Sequence, residues 1–262
     1  MKIHHLNCGT LKPIYPPIPV VCYCLLLDTS DGLILVDTGL GTRDYTEPSL
    51  AMRLFTWANR IPRDLEETAL RQVSRLGHEP TDLHDIVLTH LHLDHSGGLP
   101  DFPWARVHIH GLEHAAATRP EGLRSRIDYI PDHWRHGPNW VLHSAIDKDW
   151  FGFEAIEVCV GDGWEVLLIP LPGHSRGHCG VAVRADGGWL FHFGDAASPF
   201  YDHRWTDRYG RPPAWLVKLA GSEAQQGRLE ELWRGHGDSV QFIFAHDALG
   251  LADRQVAEGV RK

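Results

Sequence analysis

Apolar runs alternate with short clusters of turn-forming residues along most of the chain. Residues 20–27 form one such run, Asp28-Thr29-Ser30-Asp31-Gly32 supplies turn chemistry, and residues 33–36 resume the apolar pattern, which predicts a β-hairpin. Cys22 and Cys24 alternate within the first run and belong on one buried strand face, where a free thiol packs as a small hydrophobe. Between residues 64 and 76 the period becomes helical. Leu65, Ala69, Val73 and Leu76 make one stripe, Asp64 caps it with Glu67 three positions on, and Gly77 ends it. Ile86-Val87-Leu88 is a short buried strand that runs directly into Thr89-His90. Further strands are predicted at 166–169, 181–183, 189–193 and 240–245, with Asp186-Gly187-Gly188 turning one pair into a hairpin. A helix over 223–234 has Ser222 as its cap, Gln225 at the box position and Gly235 beyond its end. Two segments, 118–150 and 196–221, fit no regular element and are rich in Trp, Arg, Pro and His, a pattern typical of lids and binding loops. With no repeat, low-complexity tract or linker, the pattern predicts a single domain over 1–262.

Composition narrows the function. The chain has 262 residues, 43% of them hydrophobic, enough for one sizeable core. Asp and Glu number 34 against 25 Lys and Arg, a net charge of -9, which gives nucleic acid no electrostatic footprint even though Arg119, Arg124, Arg126 and Arg135 cluster in sequence. No apolar stretch approaches the ~20 residues of a membrane helix, and Met1-Lys2-Ile3-His4-His5 does not open a secretory signal, so a cytoplasmic protein without membrane association is expected. Five cysteines and no CxxC pair indicate neither a disulfide framework nor a zinc ribbon.

Histidine changes the picture: there are 19. His90, His92, Asp94 and His95 fall within six residues directly after a buried strand and before Gly97-Gly98. Imidazole and carboxylate are the borderline ligands that zinc and its first-row neighbours prefer. His90 and His92 can aim at one point and Asp94 and His95 at a second, while the glycines permit a tight turn and close backbone approach. Three other predicted strands also end in such groups, at Gly173-His174, Gly194-Asp195 and Ala245-His246. His108 and His110 on a strand-like run, and His114 on a helix, are read as ordinary. His133, His136 and His143 fall in the first irregular segment, as solvated loop residues or substrate contacts.

Together, Leu35-Val36-Asp37-Thr38-Gly39, His90-x-His92-x-Asp94-His95, Gly173-His174, Gly194-Asp195 and Ala245-His246 resemble the metallo-β-lactamase superfamily, in its order and over residues 35–246. The resemblance implies an αββα sandwich of two mixed β-sheets flanked by helices, with a dinuclear centre at one edge. It implies His90, His92 and His174 on one divalent ion, Asp94, His95 and His246 on the other, and Asp195 bridging. Asp37 would orient a ligand imidazole, and His178 would act no closer than that. The full set is similar to the lactonase and glyoxalase II branches, and Cys179 does not stand where some secreted lactamases have a ligand. Zinc is the expected metal, with Fe, Mn or Co as alternatives.

A two-metal centre implies a small-molecule hydrolase, because metal coordination brings the pKa of water from 15.7 to about 7. Asp94 is the candidate catalytic residue, passing a proton to the leaving group. The leading substrate is a small, partly apolar ester or lactone; a thioester comes next, then a phosphodiester, and a metal-stabilised binding protein is the non-enzymatic alternative. Lactonases resembling this chain carry a Tyr three residues after the bridging Asp, where this sequence has Ser198, with Tyr201 close by. The chain runs only 16 residues past His246, which weakens the glutathione thioester reading. Trp134, Trp140, Trp150, Trp205 and Trp215 would either wall an apolar pocket or fill the core or a homodimer interface.

Overall fold

The computed structural model describes residues 1–15, 17–122, 127–185, 188–197, 203–209 and 225–257. Its first sheet has the spatial order β1 (Lys2–Leu11), β2 (Val20–Thr29), β3 (Gly32–Val36), β4 (Leu83–Val87), β5 (Arg106–His110) and β6 (Asn139–His143). The second runs β12 (Val240–Ile243), β11 (Gly188–His192), β10 (Cys179–Ala185), β9 (Trp164–Pro170), β8 (Phe153–Gly161) and β7 (Lys148–Trp150). Both sheets are mixed: β1 to β3 pair antiparallel and β3 to β6 parallel, while β7 to β11 pair antiparallel and β11 with β12 parallel. The described helices are α1 (Thr42–Thr46), α2 (Leu50–Ala58), α3 (Ala69–Arg75), α4 (Leu93–Ser96), α5 (Gly111–Thr118), α6 (His203–Tyr209), α7 (Gln226–His236) and α8 (Ala248–Ala257). The architecture is the expected αββα sandwich. No helix among the described residues is long and apolar enough to cross a membrane.

Alternation along the strands builds the layers. On β2, Val21, Tyr23, Leu25 and Leu27 face the second sheet and meet Val166, Leu168, Val181 and Val183, while Cys22, Cys24 and Leu26 face a separate helix-covered core with Met52 and Val73. On β9, Leu167 and Ile169 face outward beneath Leu229 and Leu232 of α7. Both faces of these strands are buried, so they read as continuous apolar runs. Cys22 and Cys24 share the predicted face.

Several elements differ from the sequence pattern. The helix expected over 64–76 is broken. A single 3-10 turn, Leu65–Glu67, is capped by Asp64, and α3 starts afresh with Thr68 as its cap. Glu67 leaves the expected capping box because its carboxylate accepts from Thr10 N at 2.7 Å and Thr10 Oγ1 at 2.5 Å, tying the turn to β1. The segment 118–150 is more regular than predicted and contains β6 and β7, and 196–221 contains α6. β1 escaped prediction because its polar His4 and His5 are buried alongside Leu6 and Cys8, which blurs the alternation. Helix α7 begins at Gln226, so Gln225 bonds Pro172 O across the loop, and the predicted cap Ser222 lies outside the described residues, as do Asp186 and Gly187.

Candidate metal centre

Five strands from the two sheets, β3, β4, β9, β11 and β12, end at one edge of the sandwich, and the chain leaving each one delivers a polar side chain there. β3 leads into Asp37, β4 into Thr89 and His90, β9 into His174, β11 into Asp195 and β12 into His246. Past β4 the backbone curls at once into the short α4, with His95 N and Ser96 N both donating to His92 O at 3.1 Å. That turn sets His92 ahead of the helix and Asp94 and His95 within it. Gly97 and Gly98 keep negative φ, so no left-handed turn requires them. Their need is proximity: a Cβ on Gly97 would sit 2.2 Å from Asp44 Oδ2 and 2.8 Å from Gly39 O.

All seven predicted residues converge. A ligand atom from each of His90, His92 and His174 lies within 4.8 Å of the other two, and the sets His90, His95, Asp195 and Asp94, His95, His246 close equally tightly. Asp195 stands between the groups. Its Oδ2 lies 3.3 Å from His174 Nε2 and 4.0 Å from His90 Nε2, while its Oδ1 lies 3.1 Å from His246 Nε2 and 3.5 Å from His95 Nε2. Asp94 Oδ2 sits 3.7 Å from His246 Nε2.

The hydrogen bonds around the cluster turn specific atoms inward. Asp37, at φ +54°, accepts from Thr89 N and Thr89 Oγ1 at 2.8 Å and from His95 Nδ1 at 2.9 Å. Thr89 Oγ1 in turn accepts from His90 Nδ1 at 3.0 Å, so one carboxylate fixes two imidazoles, one directly and one through a hydroxyl. His246 donates from Nδ1 to Val21 O at 2.9 Å. His178 accepts from Asp195 N through Nε2 at 2.9 Å, which orients the central carboxylate.

Those bonds leave His90 Nε2, His95 Nε2 and Asp195 Oδ1 buried with no hydrogen-bond partner. Unsatisfied buried polar atoms cost about 1–3 kcal/mol each, so three in one cluster fit a cation that the atoms would ligate. Burial, reinforced by the neighbouring imidazoles, holds the His90 and His92 rings well below the usual histidine range, in the neutral form that coordinates. Burial alone would push the Asp195 carboxyl up, but His246, His95 and His174 hold it well below the usual carboxylate range. The donor set therefore fits borderline divalent metal.

Glu113, which the sequence pattern did not single out, organises the loops. It is fully buried at the start of α5, and its four bonds reach three loops: Oε1 accepts from Leu91 N at 3.1 Å and Tyr129 Oη at 3.0 Å, Oε2 from Ser175 Oγ at 2.6 Å and Gly177 N at 3.1 Å. One carboxylate thus ties the His90–His92 turn to the His174 loop and to Tyr129, whose ring packs 5.0 Å from that of His92. Nothing local marks this glutamate, since its partners lie 16 to 64 residues away.

Two other histidines, His133 and His143, settle differently from expectation. His133 is not solvated: it is buried, with Nε2 2.9 Å from Asp44 Oδ1 and Nδ1 3.1 Å from Ser96 Oγ, and so braces α4 against α1. His143 stacks on His108, which also bonds Asp85 at 2.8 Å. His136 is exposed. The Trp residues resolve towards the core: Trp150 and Trp205 are buried, Trp134 and Trp140 pack on the helix-side core, and Trp215 lies outside the described residues. Ser198 and Tyr201 also lie outside them. A cleft of about 610 Å³ opens at His92 and His174, with Arg119, Asp128, Tyr129 and Arg176 on its walls. None of the described Trp residues in question lines it.

The family model of the metallo-beta-lactamase superfamily matches residues 17–238. Over 255 residues the chain is 39% identical to a probable metallo-hydrolase of Mycobacterium tuberculosis, covering 94% of this chain and 80% of that protein. An N-acyl homoserine lactonase of Bacillus thuringiensis is 32% identical over 171 residues, 64% of this chain and 60% of the relative. Among solved structures, an N-acyl homoserine lactone hydrolase with its product at the catalytic metal centre superposes with a TM-score of 0.67 at 22% identity, covering 96% of this chain and 95% of that one. A dizinc quorum-quenching lactonase superposes at 0.55 and 19% identity, over 88% and 74% of the two chains.

Proposed function

The chain belongs to the metallo-β-lactamase superfamily of hydrolases, and from that premise we propose that it is a dinuclear enzyme opening a small lactone or ester. The observation that carries the proposal is Asp195, whose two oxygens each face a different pair of imidazoles. His90, His92 and His174 would hold one divalent ion, Asp94, His95 and His246 the other, with Asp195 shared and zinc the leading metal. Bound there, the metals supply Lewis acidity and a water nucleophile at neutral pH.

The chain's own groups do the rest. Asp94 borders the second group at 17% exposure, accessible to substrate, and takes the role of carrying a proton to the departing alkoxide. Asp37 and Glu113 hold the cluster in place from behind without reaching the cleft. Arg119 and Arg176 on the cleft wall suit the carboxylate that lactone opening generates. Lactones lead over other esters because two relatives of this fold are lactonases, by sequence over 64% of the chain and by structure over 96%. The acidic composition, net charge -9, supports a small molecule over nucleic acid as partner.

The test is hydrolysis of acyl lactones of graded chain length by metal-quantified protein, with Asp195→Ala beside it. Lactone opening that disappears in the variant, together with metal content, supports the proposal. Two ions per chain without lactone opening would remove the lactone while leaving the centre, and thioesters and phosphodiesters would be the substrates to examine.

A further inference from the structure

A second cluster of metal-binding side-chain types lies at the other end of the first sheet. His4 on β1, Asp28 on β2 and His78, which follows α3, each offer a ligand atom within 4.8 Å of the other two. Strand register brings the first two together: Lys2 pairs with Asp28 and His4 with Leu26, so His4 and Asp28 are diagonal neighbours on one face. Gly77, at φ +93°, ends the α3 turn and swings His78 over them. His78 Nε2 then lies 3.7 Å from Asp28 Oδ2, and its ring meets that of His4 edge-on with centroids 6.5 Å apart. Asp28 stands seven residues along β2 from Val21, the residue that holds His246, which is about 23 Å at the rise of a strand.

His4 makes this more than a surface coincidence. It is 7% exposed, and its Nε2 is buried with no hydrogen-bond partner. Burial, then the neighbouring Lys2 charge, lowers its pKa below the usual histidine value, so the ring is neutral and able to coordinate. Asp28 and His78, at 37% and 25% side-chain exposure, leave the ion a path from solvent.

We propose that His4, Asp28 and His78 form a peripheral site for one borderline divalent ion, zinc or a first-row neighbour, separate from the hydrolytic centre. Two imidazoles and a carboxylate with a fourth position open to water make a common ligand set for mononuclear zinc. The ion would clip β1, β2 and the chain after α3 together, and the proposal stands whatever bond the other centre breaks.

The experiment dialyses holoprotein of known metal content against graded free zinc. Wild type binds one zinc per chain more than His78→Ala, and the extra ion raises Tm and shifts the ring-proton resonances of His4 and His78. Asp28→Asn weakens this binding at least tenfold and carries the comparison if His78→Ala fails to fold. His84→Ala, removing an exposed histidine of β4, retains the wild-type stoichiometry. Equal zinc content in wild type and the folded variants, or added zinc that leaves the His4 resonances unmoved, overturns the proposal.

Discussion

Asp94 and Asp37 are both carboxylates at the candidate centre, and they ask for different tests. Asp94 faces His246 across 3.7 Å, partly open to solvent, whereas Asp37 is buried and spends its oxygens on Thr89 and His95. Asp94→Asn removes the proton carrier at nearly constant volume. With metal content verified as unchanged, the turnover number should fall by about 10²–10⁴ while KM moves only a few-fold; steady-state kinetics giving unchanged turnover would end the assignment of Asp94 as catalytic. Asn at position 37 tolerates the left-handed φ of +54°, so the backbone is spared and only charge and acceptor capacity change. Loss of the acceptor for His95 Nδ1 should weaken metal binding by about 10–100-fold, measured by competition with a chromogenic chelator. The seven clustered residues were legible because each follows an apolar run, three of them singly and four in one loop. Asp37 was legible only through the family resemblance, since no local feature of a lone Asp after a strand says which imidazole it will meet.

At the scale of elements, two sequence signals had been competing. The stripe Leu65, Ala69, Val73, Leu76 has helical period, but Glu67 finds β1, and Thr68 restarts the helix as its cap. Periodicity records what neighbouring turns share; it cannot register a carboxylate whose partner lies 57 residues back on another strand. The same blindness hid Glu113, the shared anchor of the loops around His92 and His174. Glu113→Gln puts an amide donor where two donors already point, so it should destabilise the protein by about 1–3 kcal/mol in urea unfolding and loosen metal binding as well. A variant matching wild type in both respects would reduce Glu113 to filler. Gly177 shows how close these parts lie, since a Cβ there would sit 2.1 Å from Glu113 N. Gly177→Ala should therefore displace the His174 loop and lower metal affinity more than it lowers the unfolding midpoint.

Over the whole molecule, burying both faces of both sheets forces neutral histidines into the interior, with consequences for stability in acid. His5 on β1 and His192 on β11 are distant in sequence and meet opposite ends of one residue: His5 Nδ1 lies 2.7 Å from Tyr23 Oη, and His192 Nε2 donates to Tyr23 O at 2.9 Å. His192 Nδ1 accepts from Gly194 N at 3.1 Å, so a proton there would break a bond that shapes the turn before Asp195. Burial first, then the Arg254 charge and the neighbouring imidazoles, takes His5 down to about 3, and burial lowers His192 too. In the unfolded chain both titrate near 6.5. Below that pH the unfolded state gains protons the folded state refuses, so the stability they contribute is complete above about 6.5 and is lost as pH falls towards 3. At pH 5, His5 alone should account for about 2 kcal/mol of lost stability relative to pH 7.5. Substituting His5→Gln keeps an acceptor for Tyr23 Oη but cannot titrate. Its urea-derived stability should therefore fall less than that of wild type between those two pH values, with both proteins held at the same metal content so that acid release of metal cancels. Parallel losses in the two proteins would show that His5 is charged or solvated in the folded state, and would move the acid sensitivity to the metal centre.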